Sequence, residues 1–374
     1  MKMPNGPTIK RLASLILIAV FLVPAGAGAQ GRLIQPGDFF PDYRFPLDLS
    51  TPDAAYLGLS DKMGTSGEFR AEDVWGNLIV LELFNRYCFS CRLAAPIFNR
   101  AYDLVASDPG LSIKVRFLGV GVGNNARVVK EFRDEFSVPF PLIPDPRLRL
   151  LDALGNPGGT PFTLLLRRTV GGMVVMDAHF GVFDSPEVLV AGIRDVLSGD
   201  IDKLVEKAPP SEVADWSMKE LKPPLSEDAL FDRVEASMKR AGYGTVGIHT
   251  VKLPSGDEVY VGESKRGKVF SRVVNRLPLC DVCHPIHFIL TFNPKGEIVD
   301  FDAIYVTKYW NRTWNDEEVA AMRKKLLGLS VLEDREFDPE VDAISTATMS
   351  STLIFDSVGK TGKIFELLKK VERP

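Results

Sequence analysis

All four cysteines of this 374-residue chain fall in two Cys-x-x-Cys pairs, Cys88-Phe-Ser-Cys91 and Cys280-Asp-Val-Cys283. That spacing sets two sulfurs side by side, so each pair is expected to work in redox chemistry or to hold a metal or cofactor. The flanks differ. The second pair runs straight into His284, and the two surroundings share no repeat.

The N-terminus bears on the compartment. Lys2, Lys10 and Arg11 precede an apolar run over residues 12–23, and Ala27-Gly28-Ala29 follows. The run is too short for a stable spanning helix, and the small-x-small pattern marks cleavage before Gln30. Residues 1–29 are therefore expected to be a signal peptide, sending the chain to the periplasm with no membrane span after cleavage. The formal charge of −4, with no basic run, gives no electrostatic footprint for nucleic acid. The length calls for two domains. Pro209-Pro210 and Pro223-Pro224 punctuate a polar stretch, and a short amphipathic segment over 230–240 ends at Gly242. Paired prolines pre-set an extended backbone. The expected division is a first domain over 36–204, a linker with a short helix over 205–240, and a second domain over 241–374.

In the first domain, residues 77–84 are a near-continuous apolar run, the pattern of a strand buried on both faces. Cys88 follows, and Leu93, Ala94, Ile97, Phe98, Tyr102 and Leu104 then recur at helical spacing. Cys88 thus falls at a strand end and a helix start, where free N–H groups and the helix dipole favour a thiolate. Such sites bring a cysteine pKa from about 8.5 into a range of roughly 3.5–7.5. Cys88 is the expected nucleophile and Cys91 the resolving thiol. One acid, Glu82, interrupts the apolar run; burial would raise its pKa and let it carry the proton of Cys91. Strands at 112–120, 140–143, 163–166 and 172–179, with helices at 128–136, 147–154 and 186–197, predict an α/β sandwich. The Gly119-Val-Gly-Val-Gly123 run lacks the full dinucleotide spacing and reads as a strand-to-helix turn.

Residues 36–200 resemble a thioredoxin-fold domain of the periplasmic branch that holds peroxiredoxin-like and cytochrome-maturation thiol reductases. The resemblance rests on the strand before Cys88, on Pro96, and on Thr160-Pro161. It implies that Pro161 is cis and packs on the reactive sulfur, and that Glu82 occupies the family's buried carboxylate position. It further implies a thiol-disulfide oxidoreductase with a protein disulfide or dithiol client. Tyr87 departs from the usual tryptophan, Phe89-Ser90 is an unfamiliar intervening pair, and no Thr-x-x-Cys setting of a peroxidase is present at Cys88.

The Cys280-Asp-Val-Cys283-His284 spacing matches c-type haem attachment, with His284 as axial ligand. Pro285 and the β-prone residues 287–292 argue against the helix into which such sites usually open. A disulfide, and a metal site using His284 or His287, are the other readings. A hairpin is expected over 288–301. Asp342-Ala-Ile-Ser-Thr-Ala-Thr348 is similar to the flavinylation motif of FMN-binding domains, and the resemblance extends over about 245–372. It implies a second, α+β FMN-binding-domain-like unit in which a flavin transferase attaches FMN to Thr348, with Asp342 and Ser345 as motif residues. Non-covalent flavin and a flavin-free relative are the alternatives. Thr346 stands where that family has glycine, and Tyr305, Tyr309, Trp310 and Trp314 are candidate walls for the flavin ring. The combined expectation is a relay between FMN, Cys280/Cys283 and Cys88/Cys91. The rivals are a haem-bearing electron carrier and a non-enzymatic holder of redox clients.

Overall fold

The computed structural model describes residues 32–65, 67–211 and 221–372. The expected signal peptide and part of the expected linker, residues 212–220, lie outside the described residues. The apolar run becomes β1 (Leu78–Phe84), buried along its whole length. Alternation splits its side chains between two cores. Leu78, Val80 and Phe84 pack with Cys88, Cys91 and Phe98, whereas Ile79, Leu81 and Leu83 face the opposite core.

Helix α1 (Phe89–Ala106) leaves the end of β1 with Pro96 inside it. There follow β2 (Val115–Val122), α2 (Ala126–Phe136) and β3 (Leu142–Asp145), then the hairpin β4 (Phe162–Thr169) and β5 (Gly172–Phe180), and finally α3 (Pro186–Ser198). The sheet order is β3-β2-β1-β4-β5. β1, β2 and β3 run parallel, while β4 and β5 run antiparallel to their neighbours. β1 is central, hydrogen-bonded on both sides, and carries Cys88 at its end. This is a thioredoxin-like α/β domain.

The second unit opens earlier than its composition indicates. Helix α4 (Glu227–Arg240), which the sequence places wholly in the linker, lies on a second sheet. Val234 and Met238 are buried with Val269 and Ile289, and Ser237 donates to Asp300 at 2.6 Å. Burial of one helical stripe, not flexibility, is what that amphipathic pattern encodes. The sheet is an antiparallel meander of β6 (Thr245–Lys252), β7 (Glu258–Ser264), β8 (Gly267–Arg276), β9 (Ile286–Phe292) and β10 (Ile298–Tyr305). Then come α5 (Asp316–Leu326) and the long α6 (Thr348–Val371), which covers the sheet through Phe365 against Phe270 and Phe292.

The two units share a continuous apolar interface: Val122 and Leu148 of the first belong to one buried cluster with Leu279 and Phe355 of the second. Gly123, at φ 68°, lets the chains approach; a Cβ there would stand 2.9 Å from the Thr352 methyl. Lys360 pairs with Asp152 at 2.5 Å and Arg127 with Glu340 at 2.8 Å around the rim.

Candidate active site

Helix α1 begins on a sulfur. Cys88 is its N-cap and accepts the N–H of Cys91 at 3.3 Å. The Cys88 thiol also reaches the carbonyl of Thr160 at 3.2 Å. Thr160-Pro161 is a cis peptide, and Thr160 contacts both sulfurs. Cys91 lies 3.2 Å from the Thr160 hydroxyl and accepts the N–H of Asn85 at 3.4 Å. Burial, reinforced by the adjacent Cys88, pushes the Cys91 thiol well above its usual range. A resolving thiol held protonated needs a base when its turn comes.

Glu82 occupies the same face of β1 as Leu78, Val80 and Phe84, the face covered by the core that contains Cys91. Burial alone raises its carboxyl to about 8. Its register partner is Thr163, whose own partner on β5 is His179. Glu82 Oε1, Thr163 Oγ1 and His179 Nε2 are buried polar atoms with no hydrogen-bond partner, in one row across three strands. Glu82 is thus mostly protonated near pH 7, and its minor ionised fraction is the form that can accept a proton. His179 carries no motif, and only the sheet register brings it into this row.

The second pair sits on the first. Cys280 and Cys283 form a disulfide, while Cys88 and Cys91 are free thiols. Thr160 donates its N–H to Leu279 at 3.2 Å, and Asp281 donates its N–H to Thr160 at 3.0 Å. These two reciprocal bonds straddle Cys280 as an antiparallel bridge would. The Thr160 hydroxyl donates to the Leu279 carbonyl at 2.7 Å, so it links Cys91 to the residue preceding Cys280. The sulfurs of Cys88 and Cys280 and a carboxylate oxygen of Asp281 all lie within 4.8 Å of one another. Asp281 also bonds Ser90 between the two first-pair cysteines; its carboxyl is raised by burial, an effect that the Ser90 bond opposes. Gly159 completes the seat: at φ 148°, a Cβ there would fall 2.5 Å from the Cys280 carbonyl carbon.

Asn311 fastens the second loop from the other side. It accepts the N–H of His284 at 3.1 Å and donates to Val282 at 2.7 Å. Trp310 and Asn311 both have left-handed backbones, at φ 60° and 55°. That costly turn also brings Trp310 to 6.4 Å from Phe89 of the first pair. Sequence reasoning did not find Asp281, Ser90 or Asn311: the Asp281–Ser90 bond exists only once the two units meet, and Asn311 reaches Val282 and His284 only through the tertiary fold of the second unit.

His284 is exposed and meets the Tyr305 hydroxyl at 2.8 Å. His287 is buried on β9 and donates to Asn275 at 2.8 Å; burial holds it neutral, with a pKa near 4. Neither imidazole joins the sulfurs: among the described residues, the cluster with metal-ligand spacing is Cys88, Cys280 and Asp281. A haem does not fit this arrangement. Cys280 is 2% exposed, walled by Gly159, Thr160 and Cys88, and β9 rather than a helix follows His284.

The Thr348 motif folds as a tight entry to α6. Asp342 is buried, pairs with Arg335 at 2.5 Å and accepts the N–H of Asp338 at 3.0 Å. Ser345 is exposed. Thr346 has a left-handed backbone, φ 61°, which explains why a glycine suits that position. Thr348 is the first residue of α6, and no side chain caps that helix. A helix start of this kind offers N–H donors to an anion such as a phosphodiester. Tyr309 binds this loop through its N–H to Thr346 at 2.9 Å, next to the exposed Trp310. Trp314, by contrast, is buried in the core.

No family model matches the chain. It is 30% identical to the thiol-disulfide oxidoreductase ResA of Geobacillus thermodenitrificans over 158 residues, 42% of this chain and 84% of that protein. The chain belongs to the ResA family of thiol-disulfide oxidoreductases. Among solved structures, it is similar to a Chlorobium tepidum protein described as the thiol:disulfide interchange protein DsbE. That match has 19% identity and a TM-score of 0.34, and covers 44% of this chain and 99% of the other. A secreted thiol-disulfide isomerase from Corynebacterium glutamicum aligns at 17% identity and a TM-score of 0.30, over 45% of this chain and 86% of the other. Thiol-disulfide exchange at the ResA-like domain is therefore its chemistry, with disulfide or dithiol groups as its clients.

Proposed function

We propose that this protein is a periplasmic thiol-disulfide oxidoreductase whose second domain is a flavin-bearing module coupled to the Cys88/Cys91 site. The observation that carries the reading is the seating of the Cys280–Cys283 loop on the first pair, with Cys88 and Cys280 sulfurs within 4.8 Å. The N-terminal charge, apolar run and Ala27-Gly28-Ala29 pattern support export. Cys88 attacks, Cys91 resolves, the Thr160 hydroxyl and Glu82 handle the Cys91 proton, and Pro161 holds Thr160 in place.

The residues of the Thr348 loop fit an FMN phosphate. Thr348 supplies the hydroxyl, the uncapped start of α6 supplies N–H donors, Asp342 anchors the loop, Ser345 lies within the motif, and Tyr309 and Trp310 offer ring surfaces. A bound flavin would supply two-electron exchange with a dithiol. A flavin transferase is then a required partner. Two assays test the reading. Reduced protein should reduce insulin disulfides, and Cys88→Ser should abolish that activity; an unaffected rate contradicts it. Co-expression with a flavin transferase should add the mass of FMN to the Thr348 peptide, and Thr348→Ala should prevent this. A bare Thr348 peptide removes the covalent flavin.

A further inference from the structure

We propose that Cys280–Cys283 is the internal substrate of Cys88/Cys91, presented to it by strand-like pairing of Leu279 and Asp281 with Thr160. The inference rests on the thiol-disulfide reading of the first pair and names its partner and the order of bond exchange. A disulfide merely buried for stability needs no such presentation. Here the two backbone bonds on either side of Cys280 fix its sulfur beside Cys88, at 3.2 and 3.0 Å. Asn311 holds the residues on either side of Cys283, Val282 and His284, and Cys280 is the sulfur within 4.8 Å of Cys88, so Cys280 is the sulfur offered for attack.

The exchange balances within the chain. Cys88 attacks Cys280; the Cys88–Cys280 bond forms as the Cys280–Cys283 bond breaks, and Cys283 leaves as a thiolate. The proton released from Cys88 passes to the Asp281 carboxylate and from there to Cys283. Cys91 then attacks Cys88, closing Cys88–Cys91 and releasing Cys280, which takes up the Cys91 proton through the Thr160 hydroxyl. Two electrons pass from the first pair to the second, and the reverse sequence returns them. Cys88 is fully buried while the units are docked. An external disulfide therefore reaches it only when they part, whereas Cys280 is already in place. Intramolecular presentation gives an effective concentration in the millimolar range or above. Dilute external clients do not compete with that, so electrons should enter or leave chiefly through one pair and cross to the other.

The test is a trap in the full chain. Cys91→Ser combined with Cys283→Ser leaves Cys88 and Cys280 as the remaining thiols, and oxidised glutathione supplies a mild oxidant. Peptide mapping by mass spectrometry without reduction should find the Cys88–Cys280 bond in most monomers, in a share unchanged by 100-fold dilution. Glutathione adducts on both cysteines, or disulfide-linked dimers, overturn the inference. If that variant does not fold, Cys91→Ser alone reads the same bond, with Cys283 becoming alkylatable as Cys88–Cys280 forms. No such bond there overturns it equally. Exchange of the reduced Cys280→Ser/Cys283→Ser chain with oxidised glutathione, with and without Cys88→Ser, tests the underlying reading. If Cys88→Ser leaves that exchange intact, both the reading and the inference fall. If Cys88→Ser abolishes it but no Cys88–Cys280 bond appears, the inference alone falls.

Discussion

Glu82 carries the clearest consequence at the scale of single residues. Its carboxyl has an ordinary pKa in the unfolded chain and about 8 in the folded one. Between those values the unfolded state has lost a proton that the folded state keeps, so folding stability falls as pH rises from about 4.5 to about 8. Glu82→Gln removes this loss. Its stability relative to wild type should rise by roughly 3–5 kcal/mol across that window. Denaturant titrations at several pH values check it, and a flat difference would place the wild-type carboxylate in contact with water or a cation. The same variant should slow insulin reduction about 10–100-fold near pH 7 through loss of proton transfer from Cys91. This residue was legible in the sequence because one acid in an unbroken apolar strand has few explanations. Thr163 and His179 were not legible, since neither breaks a pattern and only the β1-β4-β5 register lines them up with Glu82.

Among the elements, the loops that join the two units matter more than the strands. Gly159 admits the Cys280 backbone where a Cβ would clash at 2.5 Å. Gly159→Ala should push the second loop away and raise the alkylation rate of Cys88 in native reduced protein at least 10-fold. Unchanged protection would mean that Cys88 is shielded by its own domain. Thr346 is β-branched and left-handed at φ 61°, a strained combination. Thr346→Gly should stabilise the chain by up to about 1 kcal/mol in thermal or chemical unfolding and should not lower FMN attachment at Thr348. A loss of stability would show that the Thr346 side chain is held by contacts stronger than the strain. The strands and helices of the first domain were readable from apolar runs, and so was the hairpin β9-β10. Helix α6 was not: it opens with Thr348, Ser350, Ser351 and Thr352 and contains Gly359 and Gly362. Packing sets that composition. A Cβ at Gly362 would meet the Val331 carbonyl at 2.2 Å, so a poor helix former is required there.

At the scale of the whole molecule, two dithiol sites far apart in the chain become one. Their spacing announced redox chemistry, yet the sequence left haem, metal and disulfide open at Cys280/Cys283, because only the docked arrangement brings Thr160 and Cys88 against that loop. The apolar contacts of Val122, Leu148, Leu279 and Phe355 hold the units together. The rim ion pairs, being largely exposed, contribute little. A docked pair of sites should pass electrons without meeting another molecule. The measurement that tests this most directly is a single turnover in the wild-type full chain. Oxidised protein receives one equivalent of dithiothreitol, is quenched in acid at intervals, and has its four cysteines mapped by alkylation and mass spectrometry. The account predicts that the reducing equivalents redistribute between Cys88/Cys91 and Cys280/Cys283 at a rate independent of protein concentration over a 100-fold range. A rate that rises in proportion to concentration, or thiols that stay in the pair where they first appear while the other pair exchanges only with added reductant, would contradict it.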